Sequence, residues 1–269
     1  MSCTNYIIQY SKVGSIYEAN YNYIDCNTHN TVSVNHTSSN SSEIDTVNAV
    51  PGSLVILNGA LDMDPPSWPI SSITGNILVS QPFTTVNDYT VSFTYTLNPS
   101  GADINNLYGF SVFFIDGSIQ GLTGGGYGPG LGAVSTTGSA VSGIFAVVGF
   151  DISGNFSQYQ SISTFQTGYV SAFPLSVGVR VNPTFTFVSA WYTGYNAPYM
   201  YGPGTTKTVR VCVRKGFSEI DVYYVNGLSY LRIGTFNFNI LNLPKTAKVG
   251  IGYSGDPYFQ VQNITANYT

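Results

Sequence analysis

The sequence predicts an all-β protein whose main body is a two-sheet sandwich of jelly-roll type. Three observations predict it. The chain is rich in Val, Ile, Thr, Tyr and Phe, which suit a pleated, half-buried surface, and poor in the strong helix formers Leu, Lys and Glu. Its apolar residues recur with a period of two in short runs, and no stretch carries helical periodicity. Clusters of Gly, Pro, Asn and Ser punctuate these runs at nearly even spacing, as turns between strands do.

Taken in order, the first runs are short: Tyr6–Tyr10, Ala19–Ile24, Thr31–Asn35, Ile44–Val47 and Ser53–Ile56. Polar turns separate them, and together they predict a small N-terminal β domain over residues 1–60. Pro65, Pro66 and Pro69 remove ladder donors, so residues 61–69 read as a linker. Residues 70–269 hold longer strands: Thr74–Ser80, Tyr89–Leu97, Gly109–Ile115, Gly143–Phe150, Leu175–Val181, Thr184–Tyr192, Lys207–Arg214, Ile220–Val225, Tyr230–Phe238, Ala247–Tyr253 and Phe259–Tyr268. In the run 207–214 the alternation places Val209, Val211 and Val213 on one face and Arg210, Cys212 and Arg214 on the other. That number of evenly spaced strands is the pattern of a sandwich.

Charge narrows the function classes. Only 8% of the 269 residues are charged and the net charge is −4, which excludes a basic nucleic-acid-binding face. No apolar run approaches the ~20 residues a membrane-spanning helix needs, so no membrane insertion is expected. Residues 13–179 contain no Lys or Arg but ten carboxylates, whereas residues 180–269 contain eight basic groups and three acidic ones. Few charges and many aromatics are the composition of association surfaces, so an oligomeric or multi-copy assembly is expected. The basic C-terminal strands are expected to lie beside the acidic part or a neighbouring subunit.

The three cysteines, Cys3, Cys26 and Cys212, are odd in number and widely spaced, which does not suggest a disulfide framework. The N-terminal residues lack the basic and apolar regions of a secretory signal, so synthesis in a cytoplasm is expected.

Several constellations bear on chemistry. The tract Gly124–Gly132 is neither a nucleotide loop nor a dinucleotide fingerprint, since no Gly-Lys-Ser/Thr and no helix follow. It is either a turning loop or one whose amides approach a ligand, through Gly125, Gly126 and Tyr127. Asp151 ends an apolar strand and Asn155 follows four residues later. Carboxylate and amide oxygens suit Ca²⁺, while an Asp/Asn turn explains the same spacing. Two Glu-Ile-Asp triplets, at Glu43 and Glu219, continue into Val47 and Tyr223, so the third carboxylate of a strand-borne glycosidase motif is missing both times. With no histidine beyond His36, a Ser-His-Asp triad cannot form within residues 70–269. No enzyme is expected. Trp191, Tyr192, Tyr195, Tyr199 and Tyr201 cluster in or beside one loop, and loop tyrosines suit stacking on sugar rings.

Tyr108-Gly-Phe-Ser-Val-Phe-Phe-Ile, the Gly124–Gly132 tract, Val147-Val-Gly-Phe-Asp151 with Asn155, and the tail Lys248-Val-Gly-Ile-Gly-Tyr-Ser with Val261-Gln-Asn-Ile occur in that order. Together they resemble the legume (L-type) lectin and concanavalin-like jelly roll over roughly residues 70–269. The resemblance implies that Asp151 and Asn155 bind calcium, Asn155 also sugar, and that Gly125 and Gly126 lie in a loop contacting sugar. It departs from the family where the sugar-binding Asp is Tyr108 and the transition-metal Glu is Gly149. The variant Val-Gly-Phe-Asp-x-x-Gly-Asn-Phe-Ser resembles lectin-like domains of tailed-phage virion proteins. Tyr21-Asn-Tyr-Ile-Asp-Cys-Asn followed by Pro51-Gly-Ser is similar to a small β module of such virions.

These resemblances imply a non-enzymatic virion surface protein: a capsid decoration, head fibre or tail-associated protein. Residues 1–60 would attach it to other virion proteins. The lectin-like domain would bind host-surface glycans through Gly125, Gly126, Tyr127, Asn155, Tyr192, Tyr195 and Tyr199, with Ca²⁺ at Asp151 and Asn155. The alternatives are a purely structural virion protein and a polysaccharide-degrading enzyme.

Overall fold

The computed structural model describes residues 3–13, 17–38, 42–59, 72–97, 107–120, 130–134, 141–152, 154, 156, 175–182, 186–192, 200–201, 206–226, 228–237, 239–255 and 259–268. They form seventeen strands: β1 Thr4–Val13, β2 Tyr17–Ile24, β3 Thr31–Ser38, β4 Ser42–Ala49, β5 Val55–Gly59, β6 Ser72–Val79, β7 Phe83–Thr84, β8 Tyr89–Leu97, β9 Leu107–Asp116, β10 Ile144–Asp151, β11 Ser176–Val181, β12 Thr186–Tyr192, β13 Thr206–Arg214, β14 Glu219–Asn226, β15 Ser229–Asn237, β16 Thr246–Gly255 and β17 Phe259–Tyr268. Sheet A runs β12-β11-β10-β9-β16-β6-β1-β4, with β7 beside β16, and sheet B runs β15-β14-β13-β8-β17-β5-β2-β3. The all-β sandwich expected from alternation is what forms.

Period-two patterning explains the packing. On β13, Val209, Val211 and Val213 are fully buried toward sheet A, while Arg210 and Arg214 lie on the outer face. On β10 all eight residues are buried, since that strand is covered on both faces. Phe93, Tyr95, Phe110 and Phe150 meet between the sheets, with Phe110 and Phe150 stacked at 4.5 Å. A second apolar cluster lies on the outer face of sheet A. There Leu131, Ala133, Val134, Val141 and Phe156 cover Leu78, Phe113, Ile115 and Val147.

The boundary expected near residue 60 does not appear in the strand pairing. β1 and β4 extend sheet A through β6, with Tyr6 opposite Val79. β5, β2 and β3 extend sheet B through β17, with Val55 opposite Gln262. Tyr6, Ile8, Tyr21 and Val47 share one core with Phe93 and Phe110. The short N-terminal runs looked self-contained because periodicity records which face a residue takes, not which distant strand it pairs with. The linker expected at 61–69 lies outside the described residues.

The cysteine expectation is corrected. Cys3 and Cys26 form a disulfide, and Cys212 is free and buried. Backbone bonds bring the pair together. Thr4 pairs with Ala49, Asp25 bridges Ala49, and the Cys26 amide donates to the Asn48 carbonyl, so both cysteines are placed against the end of β4. Closing a loop of 23 residues is worth about 3 kcal/mol in the chain-entropy account. Cys26→Ser is therefore expected to lower the unfolding free energy by about 3 kcal/mol in urea titration, with the same strand pairing retained.

Among the described residues, most basic groups of the C-terminal part are either buried or paired within one hairpin, on strands that neighbour the acidic part. Arg180, Lys207 and Lys248 are buried. Arg214 pairs with Asp221 at 2.9 Å and Lys215 with Glu219 at 2.7 Å, each within the β13–β14 hairpin. As expected, the basic strands lie beside the acidic part: β13 pairs with β8, β16 with β6 and β9, and β11 with β10. Direct contacts with its carboxylates include the Lys215 amide donating to Asp88 and Asp116 acting on the charge of Lys248.

Candidate functional site

The end of sheet A around Asp151 gathers the predicted site residues that the structure describes. Asp151 is opposite Ser176 on one side and Gly109 on the other. Ser176 is opposite Tyr192, and Gly109 is opposite Ser254. One row across five strands therefore reads Tyr192–Ser176–Asp151–Gly109–Ser254, small or polar except for its outermost residue. Register partners in an antiparallel sheet share a face, so the ladder places Tyr192 and Asp151 in one row, separated only by β11. Gly109 has φ 138°, and a Cβ there would lie 2.1 Å from the Phe150 carbonyl oxygen. Only glycine can hold this point of the row.

Asp151 is 1% exposed. Its Oδ1 accepts from the Gly154 amide at 2.8 Å and its Oδ2 from the Phe156 amide at 2.7 Å. A carboxylate accepting backbone N–H groups folds the following residues into a tight turn. The turn sets Phe156 over Gly149: a Cβ at position 149 would meet the Phe156 ring at 2.6 Å. The ring occupies the space where the lectin resemblance expects a glutamate side chain at position 149. On its other side Phe156 faces Arg180, whose guanidinium carbon lies 5.1 Å from the ring centroid and whose Nε and Nη2 both donate to the Phe156 carbonyl. A buried arginine thus supports the turn. Sequence reading passed over Arg180, although a single charge inside the apolar run Ser-Val-Gly-Val-Arg-Val was a signal that something polar awaited it.

The exit of the Tyr-rich loop is pinned at the same end. The Tyr201 hydroxyl donates to the Ser176 carbonyl at 2.8 Å, and the Tyr95 hydroxyl donates to the Met200 carbonyl at 2.7 Å. Tyr201 is fully buried. Burial pushes its phenol well above the ordinary value, and the nearby Tyr95 and Asp151 push it further. Tyr201 therefore stays a neutral donor to Ser176. Over the middle of the sheet, the Ser111 hydroxyl donates to the Leu131 carbonyl at 2.9 Å and fixes the segment 130–134. Gly252 lies beneath it, where a Cβ would come within 2.6 Å of the Leu131 oxygen.

Gly125, Gly126, Tyr127, Asn155, Tyr195 and Tyr199 lie outside the described residues, as do the side chains of Tyr108 and Tyr192. For calcium, each Asp151 oxygen accepts one backbone amide, the second expected ligand Asn155 lies outside the described residues, and among the described residues no group of three His, Cys, Asp or Glu could hold a metal ion. The described donors do not fit a metal centre. The Glu219-Ile-Asp221 triplet does not form a catalytic pair either. Asp221 accepts from Arg214 and Thr235, and Glu219 is tied to Lys215.

The geometry defines a class: a concanavalin-like jelly roll, two antiparallel sheets with loops packed over the outer face of one. Solved structures of that class are similar to this chain. The lectin UEA-II complexed with galactose superposes with a TM-score of 0.51 at 17% identity, covering 80% of this chain and 85% of that one. The lectin from Bauhinia forficata in complex with GalNAc gives 0.50 at 16% identity, covering 75% and 82%. At such identity the likeness is one of fold. No protein-family model matches the chain, and no curated protein matches it in sequence.

Proposed function

We propose that this is a non-enzymatic, lectin-like virion surface protein that binds host-surface glycans through the loops at the Asp151 end of sheet A. The observation that carries the reading is the Tyr192–Ser176–Asp151–Gly109–Ser254 row, with an anchored turn and a pinned Tyr-rich loop at the same end. From Ser176 to Ser254 the row is a buried platform, and in this reading the loops rooted at its end carry the hydroxyls, amides and aromatics that meet a sugar. Weak single-site binding would gain strength from many copies on a particle.

Residues 1–60 attach the protein to its particle in this reading. They supply the terminal strand of both sheets at one end, β4 and β3. β3, Thr-Val-Ser-Val-Asn-His-Thr-Ser, carries no Lys, Arg, Asp, Glu or Pro to block pairing with a partner strand. The Cys3–Cys26 bond suits an oxidising exterior reached after cytoplasmic synthesis.

Galactose and N-acetylgalactosamine, the sugars in the two lectin complexes above, are the first probes, followed by a broad glycan array. Binding is expected to at least one glycan. EDTA is expected to leave that binding and the melting temperature unchanged, because Asp151 organises its turn through amides. A drop of several degrees with EDTA would place a metal in the fold. A second reading, a purely structural virion protein, is favoured by the same engagement of both Asp151 oxygens, and absence of binding to every glycan would leave it in place of the first.

A further inference from the structure

The outer face of sheet B carries a second feature, which does not rest on the loop site. Its register sets Arg210 opposite Ser92 on one side and Tyr223 on the other, and Tyr223 opposite Arg232. Two arginines therefore flank one tyrosine in a single row, about 10 Å apart at the backbone, which is two strand spacings. The other described cations nearby are neutralised: Arg214 by Asp221 and Lys215 by Glu219. Arg210 and Arg232 pair with no carboxylate among the described residues, and Arg232 is exposed. Arg210 is held in place, its Nε donating to the Ser92 hydroxyl at 3.3 Å and its Nη2 to the Tyr230 hydroxyl at 2.8 Å, with its guanidinium 4.1 Å from the Tyr230 ring centroid. Those contacts leave guanidinium N–H groups without a partner.

We propose that this face binds an acidic polysaccharide whose carboxylates are received by Arg210 and Arg232 while a sugar ring lies over Tyr223. A planar guanidinium matches a carboxylate bidentately. Holding Arg210 beforehand cuts the cost of ordering it. Two cations on a flat face, spaced two strands apart, fit a repeating linear anion better than a single small one. In a chain of net charge −4, an unneutralised arginine pair marks where an anion is welcome.

The test uses the intact protein with polygalacturonate as the carboxylated probe, dextran as the neutral control and dextran sulfate as the sulfated one. Polygalacturonate is expected to bind and dextran not to bind. Binding is expected to weaken between low and physiological salt. Arg210→Gln and Arg232→Gln are each expected to weaken it about tenfold while leaving any binding of neutral glycans by the loop face unchanged, and Arg232→Gln is expected to leave the melting temperature unchanged as well. Three results would overturn the proposal: unaltered affinity in both variants, binding of dextran sulfate alone, or self-association in sedimentation that Arg232→Gln abolishes. The last would make the face a contact between copies. Loss of neutral-glycan binding alone would count against the loop site and not against this one.

Discussion

Asp151→Ala is expected to lower the unfolding free energy by about 3 kcal/mol, because each buried amide that loses its acceptor costs about 1–3 kcal/mol. The amides are those of Gly154 and Phe156, and both oxygens of Asp151 serve them. The loss is partly offset by removing a carboxylate from a site only 1% exposed. Asp151→Asn keeps one carbonyl oxygen and is expected to lose less, about half as much. Beyond stability, the alanine variant frees the turn that carries Phe156, and with it the ring that fills the space above Gly149. Glycan binding by the loop face should fall with it. Urea titration of both variants reads the first effect, and the glycan array reads the second. An Asp151→Ala protein as stable as the parent would remove the turn-anchoring role.

Gly252→Val is the second large effect. The missing Cβ would stand 2.6 Å from the Leu131 carbonyl oxygen and 2.8 Å from the Ser111 hydroxyl. Backbone cannot yield cheaply there, since Ser111 already donates to that carbonyl. The segment 130–134 must then lift from β16, exposing part of the second core that Leu131, Ala133 and Val134 cover. Overpacking of this kind costs about 3 kcal/mol. The expected signature is local: faster amide exchange in 130–134, with β8 and β13 in the other sheet little changed. Uniform destabilisation of both sheets would contradict it.

Much of the fold was legible in the sequence because faces alternate. The run 207–214 declared its buried valines and outward arginines without any knowledge of a partner strand. What alternation could not carry was pairing between distant segments. β1 lies between β4 and β6, and β5 lies beside β17, so the first sixty residues looked separate when their strands continue both sheets. The disulfide was invisible for the same reason, as Cys3 and Cys26 meet only because β4 gathers both chain segments.

The site was legible in fragments. Asp151 stood out as a carboxylate ending an apolar strand, but its partners are backbone amides, which no residue type announces. Gly149 read as a lost ligand. Its physical meaning is room for the Phe156 ring, a contact between residues on opposite sides of a turn. Gly109 passed without comment, although its φ of 138° and the adjacent Phe150 carbonyl demand glycine.

The central claim is that the loop-covered end of sheet A is a glycan-binding face built on Asp151 without a metal. Amide hydrogen exchange on the intact protein in EDTA, with and without the glycan that the array selects, tests it most directly. The account predicts slowed exchange in 130–134, in 151–156 and at 200–201, with β3 and β4 unaffected. Protection confined to β3 and β4, or no protection anywhere until calcium is restored, would contradict it.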